Sequence, residues 1–380
     1  MISTLRSTIG ALIAMLGLFM SAAECLPANA RPWLPVNTQD AVSYQIDVGH
    51  SGGIRFNTGF AMPLTKAWSV NLGNQYISYP VIAGGKVFVN GASTHDTYAL
   101  DIATGATVWS TNSEAYVFGP AYDNGLVFTA GGQNMYALSA QTGATKWKKS
   151  VPFGDFIAVN GQVFAVDTPD GYITAISETD GQSQWSQTVE SGMIPAYGAG
   201  GVFNASPCQY AKFDAASGGR VWSYDGGCYG VDYITPVYYH KRVYIADIDL
   251  ENSIWKSRNG QNLGTFTSGA YPPALYVISH ETLAFSICCQ YPDGTLYAWD
   301  AAAHNNIWQV SCSGCTVAPI VVNGHVIIGD DGGNVYALAG KTGKLEWTSN
   351  VGGAVRQLSA GDGVLIVISD SGTVTAFVPS

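Results

Sequence analysis

Short apolar runs separated by turn residues fill this chain, and they come in sets of four. In one set Pro80 to Ala83 is apolar, Gly84-Gly85 turns the chain, and Lys86 to Asn90 alternates apolar and polar. After a longer loop Thr97 to Leu100 forms a third run, Thr104-Gly105 turns again, and Ala106 to Ser110 forms a fourth. Alternation this short, bounded by Gly and Asn, predicts antiparallel strands joined by tight turns. Asn124-Gly125, Asn160-Gly161 and Asn323-Gly324 repeat the first turn in later sets. Each set closes on a tryptophan: Trp68, Trp109, Trp147, Trp185, Trp222, Trp308 and Trp347, with Phe266 at the one missing beat. The intervals run from 37 to 44 residues, which is the period of a β-propeller array.

The two ends of the chain complete the count. The last set offers only three runs, near Arg356 to Ala360, Val364 to Ser369 and Thr373 to Val378. Lys66 to Val70 reads as a fourth strand with no three before it. One blade shared between the ends closes the ring and removes exposed sheet edges. The expectation is an all-β fold: an eight-bladed β-propeller of four-stranded antiparallel blades, its last blade closed by the N-terminal strand. The predicted organisation is a signal peptide over 1–30, a lead-in over 31–60 and a single propeller domain over 61–380.

Composition narrows the setting. Charged residues make up 12% of the chain and the net charge is −10, which disfavours nucleic acid and anionic membrane surfaces as partners. Arg6, the apolar run Ile9 to Met20 and Ala28-Asn29-Ala30 have the form of a cleavable export signal. Cys25 raises lipidation, but Glu24 puts a charge where such signals use a small residue. A periplasmic or secreted, monomeric protein without a transmembrane segment is expected. Cleavage after Ala30 leaves six cysteines, an even number that fits disulfides in an oxidising compartment. Cys312-Ser-Gly-Cys315 has no second CxxC or HxxxH to complete a zinc site.

The repeat alignment also proposes pairings. Cys208 falls in the loop between strands two and three of the fourth blade, and Cys228 in its exit connector. Cys288 and Cys289 fall at the end of strand two of the sixth blade, and Cys312 and Cys315 follow its tryptophan. The expected bridges are Cys208–Cys228 and two joining Cys288 and Cys289 to Cys312 and Cys315. The alternative is Cys288–Cys289 with a separate Cys312–Cys315.

One face of the ring carries the tight turns, and the other carries the longer, varied loops and the connectors between blades. Binding usually sits on varied loops held by a rigid scaffold. The candidates placed there are His95, Asp96, Tyr116, Asp167, Tyr197, Tyr229, Tyr233, Asp247, Asp249, Glu251, Tyr271 and Arg356. Aromatics beside carboxylates suit a sugar or an extended peptide, and each tyrosine also suits a blade end with a wet hydroxyl. Asp247, Asp249 and Glu251 alternate as hard-cation ligands can, but lack a calcium-loop pattern, so no metal is expected.

The strings Tyr98-Ala-Leu-Asp-Ile-Ala-Thr-Gly-Ala-Thr-Val-Trp109 and Val335-Tyr-Ala-Leu-Ala-Gly-Lys-Thr-Gly-Lys-Leu-Glu-Trp347 resemble the repeats of the PQQ-like (quinoprotein-dehydrogenase-like) propeller family. The lead-in His50-Ser-Gly-Gly also resembles the segment preceding the first tryptophan in that family. The resemblance covers about 60–380 and implies tryptophans docked between neighbouring blades. It offers two roles: quinone-dependent dehydrogenase, or non-enzymatic scaffold of the outer-membrane assembly-factor kind. The size of this chain matches the second. Cys288-Cys289 stands within a blade, whereas the enzymes carry their cysteine pair in a connector, and the enzymes' calcium ligands have no counterpart here. Pyrroloquinoline quinone with calcium is therefore disfavoured and no cofactor is expected. The leading expectation is an exported, non-catalytic propeller that binds an envelope or extracellular protein or a glycan on its loop-rich face. The alternative is an enzyme: a carbohydrate lyase using His95 and a tyrosine as acid and base, or a degenerate quinoprotein. A catalytic cavity shared by His95, a tyrosine and Arg356 would favour the enzyme, and a plugged funnel the scaffold.

Overall fold

A computed structural model describes residues 40–57, 60–115, 118–150, 154–167, 171–190, 192–226, 234–246, 252–266, 273–278, 281–288 and 294–380. They form an eight-bladed β-propeller, eight sheets each built from four antiparallel strands. The strands around the axis are Val81–Ala83, Ala121–Asp123, Phe156–Val159, Ala196–Gly198, Val237–Tyr239, Ala274–Ile278, Ile320–Val322 and Val355–Gly361, the first strands of blades 1 to 8. Blade 8 is shared as expected: Leu64–Asn71 lies against Thr373–Pro379, with Ser69 opposite Thr375 and Val70 opposite Val374. The tight turns also follow the sequence. In pairs such as Asn124-Gly125 and Asn323-Gly324 both central residues have positive φ, the geometry that matches strand twist in a two-residue hairpin.

The tryptophans are wedges. Trp68, Trp109, Trp147, Trp185, Trp222, Trp308 and Trp347 each donate Nε1–H across the blade junction. Their acceptors are the carbonyls of Ile102, Ala140, Glu178, Ala215, Ser257, Gly340 and Leu64, at 2.6 to 3.1 Å. The last of these bonds carries the series back to the N-terminal strand. Behind the indole stands a phenylalanine of the same blade, as in Phe88–Trp109 and Phe128–Trp147, with centroids 5.8 and 5.9 Å apart. In front stands a glycine of the next blade. A Cβ on Gly105, Gly143, Gly181, Gly218, Gly260 or Gly343 would come within 2.6 to 2.9 Å of indole carbons. Indole and glycine are one interlocking unit.

The junction between blades 5 and 6 departs from this rule three times. Phe266 stands in place of the indole, and His304, at φ 58°, in place of the glycine. The smaller ring leaves room for the imidazole, which packs edge-on against Trp299 with centroids 5.5 Å apart. Phenylalanine has no N–H to offer, so Arg242 Nη1 donates to the orphaned acceptor, the Ala301 carbonyl, at 2.7 Å.

Candidate functional site

The lead-in has a role that its sequence did not announce. Residues 41–54 form a belt around the tight-turn end of the axial channel, where inner strands would otherwise expose unpaired backbone groups. Ala41 exchanges two backbone bonds with Ile82 of blade 1, each 2.7 Å. The carbonyls of Val42, Val48, Gly49, Ser51 and Gly52 then accept from Tyr122, Tyr197, Tyr238, Leu275 and Val321, at 2.6 to 2.9 Å. These amides belong to blades 2, 4, 5, 6 and 7 in turn. Gly53–Ile54 finally pairs in parallel with Val321 and Val322, adding a fifth strand to blade 7. Gly49 is required by close approach, because a Cβ there would lie 2.8 Å from the Tyr238 carbonyl oxygen.

The belt carries buried polar groups into the axis. Asp47 accepts from the Ser51 hydroxyl and from the amides of Gly49 (2.8 Å) and Ser51 (3.2 Å), locking the loop that holds His50. Burial raises the Asp47 pKa, and these hydrogen bonds oppose the rise. Burial likewise lowers that of His50 to about 4, so its imidazole is neutral. Its Nδ1 pairs with the Pro236 carbonyl at 3.2 Å, while its buried Nε2 has no hydrogen-bond partner among the described residues. The ring of Tyr44 links His50 to Tyr79, with centroids at 5.9 and 5.3 Å. Tyr79 lies over Gly119, where a Cβ would come within 2.2 Å of its ring. Its hydroxyl pKa is pushed well up by burial first, then by the charges of Asp155 and Tyr44. Burial alone raises Asp155 to about 7. Perturbed ionisable groups gathered in one place are a signature of functional sites, and of structural plugs as well.

The loop-rich face is organised differently. Arg356, at the start of blade 8, donates to Asp331 (2.8 Å), Thr316 Oγ1 (3.3 Å) and Asp370 (3.4 Å), clamping the loops of blades 7 and 8. His95 is exposed at φ 59°; its carbonyl accepts from Ser113 and Ala115, and its Nδ1 pairs with the Ala115 carbonyl at 3.1 Å. It serves the turn that contains it. Asp96 begins the third strand of blade 1, with the Tyr98 hydroxyl 3.5 Å away. Asp167 ends the second strand of blade 3 and is buried, and its carbonyl accepts from Gly171. The hydrogen bonds of His95 hold the loop of blade 1, whereas those of Arg356 hold the loops of blades 7 and 8.

Tyr197 is a correction. It lies within the inner strand Ala196–Gly198 rather than in a connector, bonded to the belt, with its hydroxyl 3.1 Å from Asn160 Nδ2 at a tight turn. The expected cysteine pairing is corrected too. Cys312 joins Cys315, so neither is available to Cys288 or Cys289. The turn through Ser313-Gly314 brings their Cα atoms to 5.5 Å, well within disulfide reach. Cys208 lies in the expected loop and is disulfide-bonded. Tyr116, Cys228, Tyr229, Tyr233, Asp247, Asp249, Glu251, Tyr271, Cys289 and the side chain of Cys288 lie outside the described residues.

Sequence reasoning missed the belt, His50 as an axial residue, and Asp155. The signal for the belt was the cluster Gly49, Gly52 and Gly53 around His50-Ser51. Asp155 was findable by aligning the residue before each inner strand, where it matches Tyr79.

The fold and its docked tryptophans define a closed, repeat-built β-propeller with an internal N-terminal belt. A family model described as "Outer membrane protein assembly factor BamB" matches residues 96–200, 152–273 and 240–380. The chain belongs to the PQQ-like β-propeller family. Among solved structures, BamB from Moraxella catarrhalis is similar at 18% identity and TM-score 0.70, over 83% of this chain and 98% of that one. Quinohemoprotein alcohol dehydrogenase from Comamonas testosteroni is similar at 16% identity and TM-score 0.75, over 90% of this chain and 81% of that one. The computationally designed Ika8 protein is similar at 16% identity and TM-score 0.67, over 80% of this chain and 96% of that one. These likenesses are of fold. No curated protein matches the chain.

The dehydrogenase likeness invites a test of fit for a quinone held with calcium. Such a cation needs grouped oxygen donors. Among the described residues no three His, Cys, Asp or Glu side chains are grouped to hold a metal. At the axis, Asp47 is engaged within its own loop. The described residues do not fit the group.

Proposed function

We propose that this protein is an exported, non-catalytic binding or scaffolding propeller that holds an envelope or extracellular protein on its loop-rich face. The observation that carries the reading is the belt. The chain's own lead-in takes inner-strand amides of six blades, 1, 2, 4, 5, 6 and 7, near the tight-turn end of the axis. A ring closed both there and in blade 8 is a rigid frame, and the exposed variation is left to the loops on the other face. The family's description as an outer-membrane protein assembly factor favours a protein over a glycan as partner. Among the described residues no helix is long and apolar enough to cross a membrane, which is compatible with export.

The test is a capture experiment from an envelope extract, run beside a glycan array with the full chain as bait. Asp96→Lys with Arg356→Glu alters the loop-rich face, and Lys86→Glu with Asp362→Lys alters the tight-turn face. The expected result is a protein partner lost with the first pair and kept with the second. Loss only with the second pair, or polysaccharide cleavage abolished by His95→Ala, overturns the reading.

A further inference from the structure

A cleft of about 410 Å³ opens between blades 6 and 7. Val310 and Cys312 line it from the outer strand and exit connector of blade 6, and Ile328 and Leu338 line it from blade 7. Tyr336 and Asp330 supply polar atoms to an otherwise largely apolar lining. A volume of this size suits a small ligand, and orientation in such pockets is fixed by a few placed polar groups.

Asp330 is the unusual member. It is only 7% exposed, and its carboxylate accepts from the Asn334 amide (2.8 Å), from Asn334 Nδ2 (2.9 and 3.2 Å) and from the Tyr336 hydroxyl (2.8 Å). Burial raises its pKa, but the hydrogen bonds from Asn334, Tyr336 and Gly332 outweigh burial and keep it below the usual value. The group is therefore anionic at neutral pH. All of these donors are neutral, so they orient the charge without cancelling it. Its neighbour Asp331 holds Arg356 at 2.8 Å, whereas Asp330 makes no salt bridge among the described residues. A buried charge without a counter-charge is costly, and a ligand that brings the missing charge recovers that cost.

We propose that this cleft binds an organic cation, an ammonium or guanidinium head on an apolar stem. The stem lies along Val310, Ile328 and Leu338. The head donates to the Tyr336 hydroxyl oxygen, whose own proton is committed to Asp330, and so sits within the field of the Asp330 carboxylate. Two sources share this chemistry, a free amine and the lysine side chain of a polypeptide. The proposal does not depend on the reading of the loop-rich face.

The test is calorimetric titration of the full chain at pH 7 with hexylammonium, hexanol, hexanoate and a capped pentapeptide with a central lysine. Hexylammonium should bind at least about tenfold more tightly than hexanol, a difference of about 1.4 kcal/mol, with hexanoate weakest. Asp330→Asn should erase the preference for the ammonium over the alcohol, and Val310→Trp, which fills the cleft, should abolish binding of both. If Asp330→Asn does not fold, the probe series on the native protein and Val310→Trp decide the matter alone. Peptide binding equal to that of hexylammonium supports the proposal with a polypeptide source, and binding of the free amine alone supports it with a small-molecule source. Hexanol binding as tightly as hexylammonium, binding untouched by Val310→Trp, or no binding of either cation at 10-millimolar concentrations (about −2.7 kcal/mol) overturns it.

Discussion

If Arg242 substitutes for a missing tryptophan N–H, removing its guanidinium should loosen the junction between blades 5 and 6. Arg242→Met keeps an apolar stem of similar length but withdraws the donor 2.7 Å from the Ala301 carbonyl. Ala301 is fully buried, so the carbonyl loses its side-chain donor in a place water reaches poorly. A hydrogen bond from a charged donor contributes about 1.5–3 kcal/mol, and an acceptor stranded by its removal costs about 1–3 kcal/mol. Arg242 is half-buried, which argues for the middle of that range, about 2 kcal/mol. Unfolding entropy near 2.1 cal/mol/K per residue over roughly 340 residues makes this a fall in Tm of about 3 °C. Differential scanning calorimetry reads such a shift, with Arg258→Met, an exposed arginine, as the control. The sharper test is rescue. Phe266→Trp with His304→Gly rebuilds the indole–glycine pair found at the neighbouring junctions, and its Nε1–H can reach the same carbonyl. In the Arg242→Met background this pair should recover most of the loss. Phe266→Trp alone should destabilise, because the indole meets the imidazole, and overpacking costs about 1–3 kcal/mol. An Arg242→Met variant that melts within about 0.5 °C of the native protein would refute the substitution argument.

Deleting everything after Gly361 removes the partners of Leu64–Asn71 and should abolish a single cooperative melt rather than trim one blade; retention of the native Tm would contradict closure through blade 8. Asp155 has a folded pKa of about 7, above its unfolded value, so its contribution is fully present below about pH 4 and is lost as pH rises through 7, by about 4 kcal/mol at most. Asp155→Asn should therefore be the more stable protein at pH 8, and a melting curve that orders the two the other way would refute it. Peptide mapping without reductant should return Cys312 and Cys315 within one peptide carrying an internal bridge; either residue linked to Cys288 or Cys289 would restore the pairing read from the repeat.

The ring was legible because its signals are local and repeated. A strand of alternating residues, a tight turn and a Thr-Gly turn just before a tryptophan each occupy a few consecutive positions, and their copies around the ring corroborate one another. The gap at Phe266 was visible in the same way, but its remedy was not. Arg242 and His304 lie 24 residues before and 38 residues after it, and only the packed junction brings the three together. Tyr197 was misplaced although Pro195-Ala196-Tyr197-Gly198 aligns with Pro80-Val81-Ile82-Ala83, which would have put it in an inner strand. The cysteine pairing weighted the repeat register over the simpler fact that a four-residue turn already brings two thiols together. The candidate site was the least legible part. Burial, rather than residue type, makes Asp155 and His50 unusual, and burial at the axis belongs to the closed ring as a whole.

The belt also explains why one face can vary while the ring holds. In an open array, the inner edge of each blade presents backbone donors to the channel, and these edges must be filled by water, ligand or chain. Here the chain fills the tight-turn end itself, in blade order, through carbonyls rather than side chains. Backbone bonding of this kind constrains shape more than identity: Gly49 and Gly52 are fixed by close approach, whereas Val42 and Val48 need only offer a carbonyl. The inner strands are thereby tied to a common element, and the outer strands are tied to the next blade by the tryptophans. Neither device uses the loops between the second and third strands, and Arg356 shows that those loops can be cross-linked by charge without entering the core. The belt and the tryptophans thus tie the ring together without the loop-rich face, and substitutions there should leave Tm little changed.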